Sequence, residues 1–152
     1  MKDDTATITG QAHQDTAHDS AAKHVTGRAE YTDDLVEPTG TIHAYLGLST
    51  CAHGRITGMD FTETLAQPGV LGILTAADLP GVNDVSPNGK NDDPIFAEGV
   101  VQFWGQPVFA VIAETRDQAR RAAHKARIDY DVLPHALDPI AARGAPGRAF
   151  RR

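Results

Sequence analysis

With 152 residues and 41% hydrophobic content, the chain is long enough and apolar enough for one globular domain with a real core. Its formal net charge of −6 argues against nucleic-acid binding, which needs a basic stripe to neutralise phosphates; positive charge concentrates only in Arg116 to Arg127 and Arg143 to Arg152. One cysteine, Cys51, rules out an intrachain disulfide framework or a thiolate zinc cluster, and the polar N-terminus and lack of any run near ~20 apolar residues speak for a cytoplasmic chain without a membrane span.

Residues 1–23 are rich in Asp, Thr, Gln, His and Ala, without strand alternation or large apolar anchors, and are expected to form a flexible, disordered arm. Gly27 to Glu37 reads as irregular, anchored by Tyr31. After the turn signal Pro38-Thr39-Gly40, Thr41 to Ser49 alternates like a half-buried strand, with Ile42, Ala44, Leu46 and Leu48 expected on the core face and His43 and Tyr45 opposite. Gly54 suits a turn into a second strand over Arg55 to Phe61, whose apolar points are Ile56 and Met59. Thr62 to Ala66 predicts a short helical turn stopped by Gln67-Pro68-Gly69, and Val70 to Leu74 a buried strand. Thr75-Ala76-Ala77-Asp78 has capping-box spacing and introduces one more helical turn before Pro80-Gly81.

Residues 80–99 form a long polar segment punctuated by Pro80, Pro87, Asn88-Gly89 and Pro94; such a loop either reaches over a partner or site, or is variable surface. Val108 to Ala113 is nearly all apolar and β-prone, which predicts a central strand. The capping box Thr115-Arg116-Asp117-Gln118 opens a helix to about Ala126. Ala119, Ala122, Ala123 and Ala126 form a small-residue stripe for close approach to a sheet, while Arg116, Arg120, Arg121, His124 and Lys125 face outward. Ile128, Tyr130 and Val132 alternate as a closing strand that ends at Leu133-Pro134. The order predicts an α+β domain ending in a strand–helix–strand unit.

None of the chemistry-bearing residues makes a persuasive site. His13, His18 and His24 are spaced by five and six, whereas helical metal pairs need three or four. Cys51 and His53 would share a face if their segment were a strand, but no third group orients them and no oxyanion hole is evident, so a buried thiol and a hydrogen-bonded histidine are the better reading. There is no G-x-G-x-x-G or Walker loop; Pro87-Asn88-Gly89-Lys90 is a turn. Asp33-Asp34 and Asp92-Asp93 are adjacent carboxylates that diverge in surface turns, and Phe103-Trp104 reads as a core or interface anchor. The sequence assigns no catalytic, cofactor-binding or metal-binding residue.

Several runs, in order over residues 24–138, carry a family resemblance. They are His24-Val25-Thr26-Gly27-Arg28-Ala29-Glu30-Tyr31-Thr32-Asp33-Asp34; Gly40-Thr41-Ile42-His43-Ala44; Ser49 with Ala52-His53-Gly54-Arg55-Ile56; Pro68-Gly69-Val70; Thr75 to Asp84; Asp93-Pro94-Ile95-Phe96-Ala97; Gly105-Gln106-Pro107-Val108; and Tyr130-Asp131-Val132-Leu133-Pro134. Together they resemble the molybdopterin-binding large subunit of xanthine dehydrogenases, at the N-terminal α/β-hammerhead domain of the aldehyde oxidase/xanthine dehydrogenase family. Residues 141–152 depart from the pattern as an irregular basic tail that looks like a truncation or an out-of-frame read, or else ends a genuine short protein; over residues 24–140 the resemblance implies a hammerhead fold with a mixed sheet, one main helix and short helical turns. It further implies downstream molybdenum-binding domains and an Fe–S/FAD subunit as partners. Molybdopterin, Fe–S clusters and FAD would reside in the full enzyme, which hydroxylates purines or aldehydes with oxygen from water. The family's pterin loops and catalytic glutamate lie downstream, so no site residue carries over. An autonomous, non-catalytic interaction module on the same fold is the other reading.

Overall fold

The computed structural model describes residues 18–87, 89–90 and 92–144. The expected arm therefore lies largely outside the described residues, as does the tail from residue 145. Two compact units divide at Pro38/Thr39.

The described part of the first unit holds a short helix, α1 (Ala21–Val25), and a 3-10 turn, Thr32–Asp34. Asp34 closes that turn by accepting from the Tyr31 backbone N–H at 2.9 Å. The Tyr31 ring is exposed, so it anchors only locally, with its hydroxyl 3.1 Å from His24 Nδ1.

The second unit is built on two three-stranded sheets. Strands β1 (His43–Leu48), β5 (Pro107–Ala113) and β3 (Val70–Thr75) form one, in the order β1-β5-β3; β4 (Val100–Val101), β2 (Gly54–Asp60) and β6 (Arg127–Val132) form the other, in the order β4-β2-β6. Every pairing is antiparallel, so two antiparallel sheets stand where the resemblance implied one mixed sheet. The α+β class holds, with α3 (Arg116–Ala123) as the main helix, alongside the short α2 (Thr62–Leu65) and a 3-10 turn at Ala76–Asp78.

β5 is central, as its apolar run predicts. Helix α3 lies across β1, β5 and β3. It starts where Thr115 accepts from the Gln118 N–H, and it ends at His124, a little before the expected Ala126. Ala119, Ala122 and Ala123 are buried, while Arg116, Arg120 and Arg121 face outward, as the alanine stripe predicts. Asp117 bridges both Arg120 (2.8 Å) and Arg121 (2.7 Å) on that outer face. The strand–helix–strand unit does not close on itself, since β5 and β6 belong to different sheets and β6 pairs with β2.

β1 reverses the expected faces. His43, Tyr45, Gly47 and Ser49 turn inward, and Ile42, Ala44, Leu46 and Leu48 turn outward. Register explains it: Gly47 sits opposite Phe109, and a Cβ on Gly47 would collide with the Phe109 ring. Phe109 is buried and meets Phe61 edge-on at 4.9 Å between centroids. Only the face carrying glycine can lie over that ring. β3 is likewise an edge strand, not a fully buried one, with Leu71 and Leu74 exposed. In β2 a register shift between Ile56 and Gly58 leaves Ile56 packed on the core and Met59 exposed. Gly54 opens β2 rather than making the turn, pressed against Cys51 Sγ and the Asp131 carbonyl.

The segment over residues 80–99 is knit together. Asn83 pairs reciprocally with the Phe96 backbone at 2.8 and 3.0 Å, and Asp84 accepts from the Ser86 and Asp93 backbone N–H groups. The expected irregular tail begins instead as a helix, α4 (Pro139–Gly144). Asp138 caps it by accepting from the Ile140 N–H at 2.6 Å, and Pro139 takes the first helical position, where no N–H is needed.

Ala122→Leu or Ala123→Leu should overpack α3 on the sheet and cost about 1–3 kcal/mol in urea melts. The exposed control Arg121→Leu should change stability by no more than about 0.5 kcal/mol. Equal loss from all three would show that the helix does not rest on its alanine face.

Two exposed carboxylates set an acid limit. The Thr62 side chain, then its backbone N–H, lowers the Asp60 pKa below the ordinary 3.8. The Thr75 hydroxyl and then its N–H, both 2.8 Å away, do the same for Asp78. Because the folded pKa values are depressed, this stabilisation is present above the ordinary 3.8 and is lost as pH falls through the lowered folded values. The double variant Asp60→Asn, Asp78→Asn should flatten the decline in unfolding midpoint below about pH 4; an unchanged acid slope would assign the decline to other groups.

Candidate functional site: an exposed aliphatic sheet rim

The residues singled out by sequence do not converge on a reaction centre. Cys51 is buried in the core cluster, and its segment between β1 and β2 is irregular, so the strand geometry that would align it with His53 is absent. Ser49 Oγ accepts from the Cys51 N–H at 3.0 Å and donates to the Cys51 carbonyl at 2.7 Å, fixing the bend. His53 turns its Nδ1 to the Pro134 carbonyl, 3.0 Å away. His18 and His24 do approach, at 6.2 Å between ring centroids, because α1 folds the chain back; their Nδ1 atoms meet the Ser20 N–H and the Tyr31 hydroxyl. His13 lies outside the described residues, as does Asn88 of the Pro87–Lys90 turn. Asp33 and Asp34 lie in the 3-10 turn, and the Asp93 backbone belongs to the knit loop.

Among the described residues, no group of three or more His, Cys, Asp or Glu side chains could hold a metal ion, and no helix is long and apolar enough to cross a membrane. Gly69 has positive φ, but the space over it is filled by the Gln118 side chain, so that glycine serves helix packing and not a phosphate cradle.

What the second unit does present is apolar surface. On the β1-β5-β3 sheet, α3 covers one face. The rims of the other carry Leu46 and Leu48 from β1 and Leu74 from β3, on either side of the central-strand residues Val108 and Ala110, which are themselves buried. Leu46 is 47% exposed and Leu48 51%. Aliphatic side chains aligned along one sheet face differ from singly scattered ones; such patches mark contact with another protein layer. The alternation over Thr41 to Ser49 marks the β1 part of this stripe, but the face it marks is the exposed one.

The aldehyde oxidase and xanthine dehydrogenase a/b hammerhead domain matches residues 26–134. Xanthine dehydrogenase of Oryza sativa subsp. japonica is 45% identical over 124 residues, 82% of this chain but 9% of that protein. Aldehyde oxidase 2 of Rattus norvegicus is 42% identical over 123 residues, 81% of this chain and again 9% of that protein. The aldehyde oxidoreductase from Desulfovibrio desulfuricans superposes with a TM-score of 0.75 at 30% identity, covering 86% of this chain and 16% of that one. The chain thus spans about a tenth of the length of these curated relatives.

Leu46→Ser with Leu48→Ser should reduce binding of the dye anilinonaphthalene sulfonate by more than half, while the unfolding free energy stays within about 0.5 kcal/mol per site. A loss of about 2–5 kcal/mol, the range for truncating a buried leucine, would show that the stripe is core. By matched span, shared sequence and shared fold, the chain belongs to the aldehyde oxidase and xanthine dehydrogenase a/b hammerhead domain family.

Proposed function

We propose that the chain is the N-terminal structural domain of the molybdenum-binding part of a cytoplasmic, xanthine dehydrogenase-like hydroxylase, and contributes no catalytic residue. In this reading the full enzyme hydroxylates purines; molybdopterin, Fe–S clusters and FAD reside in other domains or a partner subunit. The observation that carries it is the aliphatic sheet face opposite α3. A domain evolved to stand alone gains nothing from aligned leucines in water, whereas one layer of a larger enzyme buries them against the next. The molybdenum-binding domains are the occupant this reading commits to, since matched relatives are about ten times longer than the shared segment. The rice xanthine dehydrogenase is 45% identical and the rat aldehyde oxidase 42%, but both Arabidopsis xanthine dehydrogenases are 40%, so the purine assignment draws its support from the His24–Asp34 and Pro80–Asp84 runs instead.

The purified chain should bind no molybdenum and reduce no dye when given hypoxanthine. Stoichiometric molybdenum by elemental analysis, or purine-dependent dye reduction, would overturn the non-catalytic assignment.

A further inference from the structure

The turn between β4 and β5 holds Phe103 and Trp104 out in water. Trp104 is 68% exposed, yet the backbone beneath it is fixed. The buried Gln106 side chain accepts from the Gln102 N–H at 2.7 Å, and the Gln106 N–H reaches the Phe103 carbonyl at 3.3 Å. Gly105, at φ +84°, donates to the Ser49 carbonyl at 2.9 Å, and the Ser49 N–H donates to the Gln106 carbonyl at 2.8 Å. A conformation that favours glycine and a buried amide are thus spent on rigidity at a point where the fold itself gains no burial from a tryptophan. A rigid turn presenting a large aromatic loses little entropy on association, which is the character of an interface anchor.

Trp104 stands between two hollows. One, of about 420 Å³, runs along β1 to the end of α3; the other, of about 350 Å³, is shared with His53, His135 and Leu137. The second is also where the chain leaves the sheet. The His53 carbonyl accepts from the Leu133 N–H at 2.9 Å and its ring bonds the Pro134 carbonyl at 3.0 Å, so the departing segment is tied beside the aromatic turn. Leu137 on that segment is 81% exposed.

We infer that the Phe103–Trp104 turn, with Leu137, is an anchoring point for docking that borders Leu46 and Leu48 through the first hollow, and that its occupant is an apolar surface of the domain that, in the proposed setting, follows this one in the same polypeptide. The inference rests on the reading of the chain as one domain of a larger hydroxylase. A domain following in that setting would be tethered by the tied exit at the border of the patch, and so held there at high effective concentration.

The test replaces the matching stretch of the rice xanthine dehydrogenase with residues 24–138 of this chain, with and without Trp104→Ser. Release of the domain by trypsin and xanthine-dependent dye reduction are followed, and the same substitution is melted in urea in the 152-residue chain. The native graft should be active. Trp104→Ser should speed tryptic release of the domain at least tenfold while leaving the urea midpoint of the separate chain unchanged. Equal release rates with an active native graft would overturn this inference and leave the structural-domain reading standing. An inactive native graft would overturn both. A lowered midpoint in the separate chain would show that the tryptophan serves the fold, and would also overturn it.

Discussion

The cross-strand contact between Gly47 and Phe109 governs the second unit. The phenyl ring needs the space that any side chain at position 47 would occupy. That requirement sets the register of β1 on β5 and decides which face of β1 turns toward α3. With the ring seated, Phe61 closes on its edge, Val111 and Ala122 complete the cluster, and Ile56, Ile128 and Tyr130 of the other sheet pack against it. A one-residue slip would drive a leucine into the ring and turn the whole strand over, so register and side-chain orientation are one decision here.

The interior that results is small in its residues. Alanines line α3 and valines fill β5, and the largest ring in the cluster is accommodated by an absence of side chain opposite it. Close packing of this kind leaves little slack, which is why the alanine face is sensitive to added volume. Among the described residues, two buried hydroxyls, on Thr64 and Tyr130, have no hydrogen-bond partner. They contrast with the buried Ser49 and Gln106 side chains, whose polar atoms are hydrogen-bonded.

Much of the architecture was legible in the sequence because it is local. The apolar run of β5, the Thr115 cap and the alanine spacing of α3 each carry their own signal, and each is found where expected. The orientation of β1 was not, because alternation says that two faces differ and not which one is covered; Phe109, some sixty residues away, decides that. The same limit hid the helix α4, whose start depends on the Asp138 cap rather than on periodicity. Phe103 and Trp104 were readable as anchors, but only the turn geometry separates an anchor presented outward from one buried in the core. The Cys51–His53 spacing carried no geometric meaning once the segment proved irregular.

The reversed β1 strand bears on how such an enzyme is made. In the proposed setting this domain leaves the ribosome before the layer that covers it. At roughly 5–20 residues per second, a following domain of a few hundred residues arrives tens of seconds later. During that interval the leucine-lined sheet is open to any other nascent chain. The edge strands β1 and β3 flank the same stripe and add unpaired backbone to the hazard. The excess of acidic residues, −6 overall, gives neighbouring copies on a polysome a mutual repulsion while they wait. Quality control of the finished oxidoreductase would then begin at this sheet, as the surface whose burial reports that assembly has succeeded.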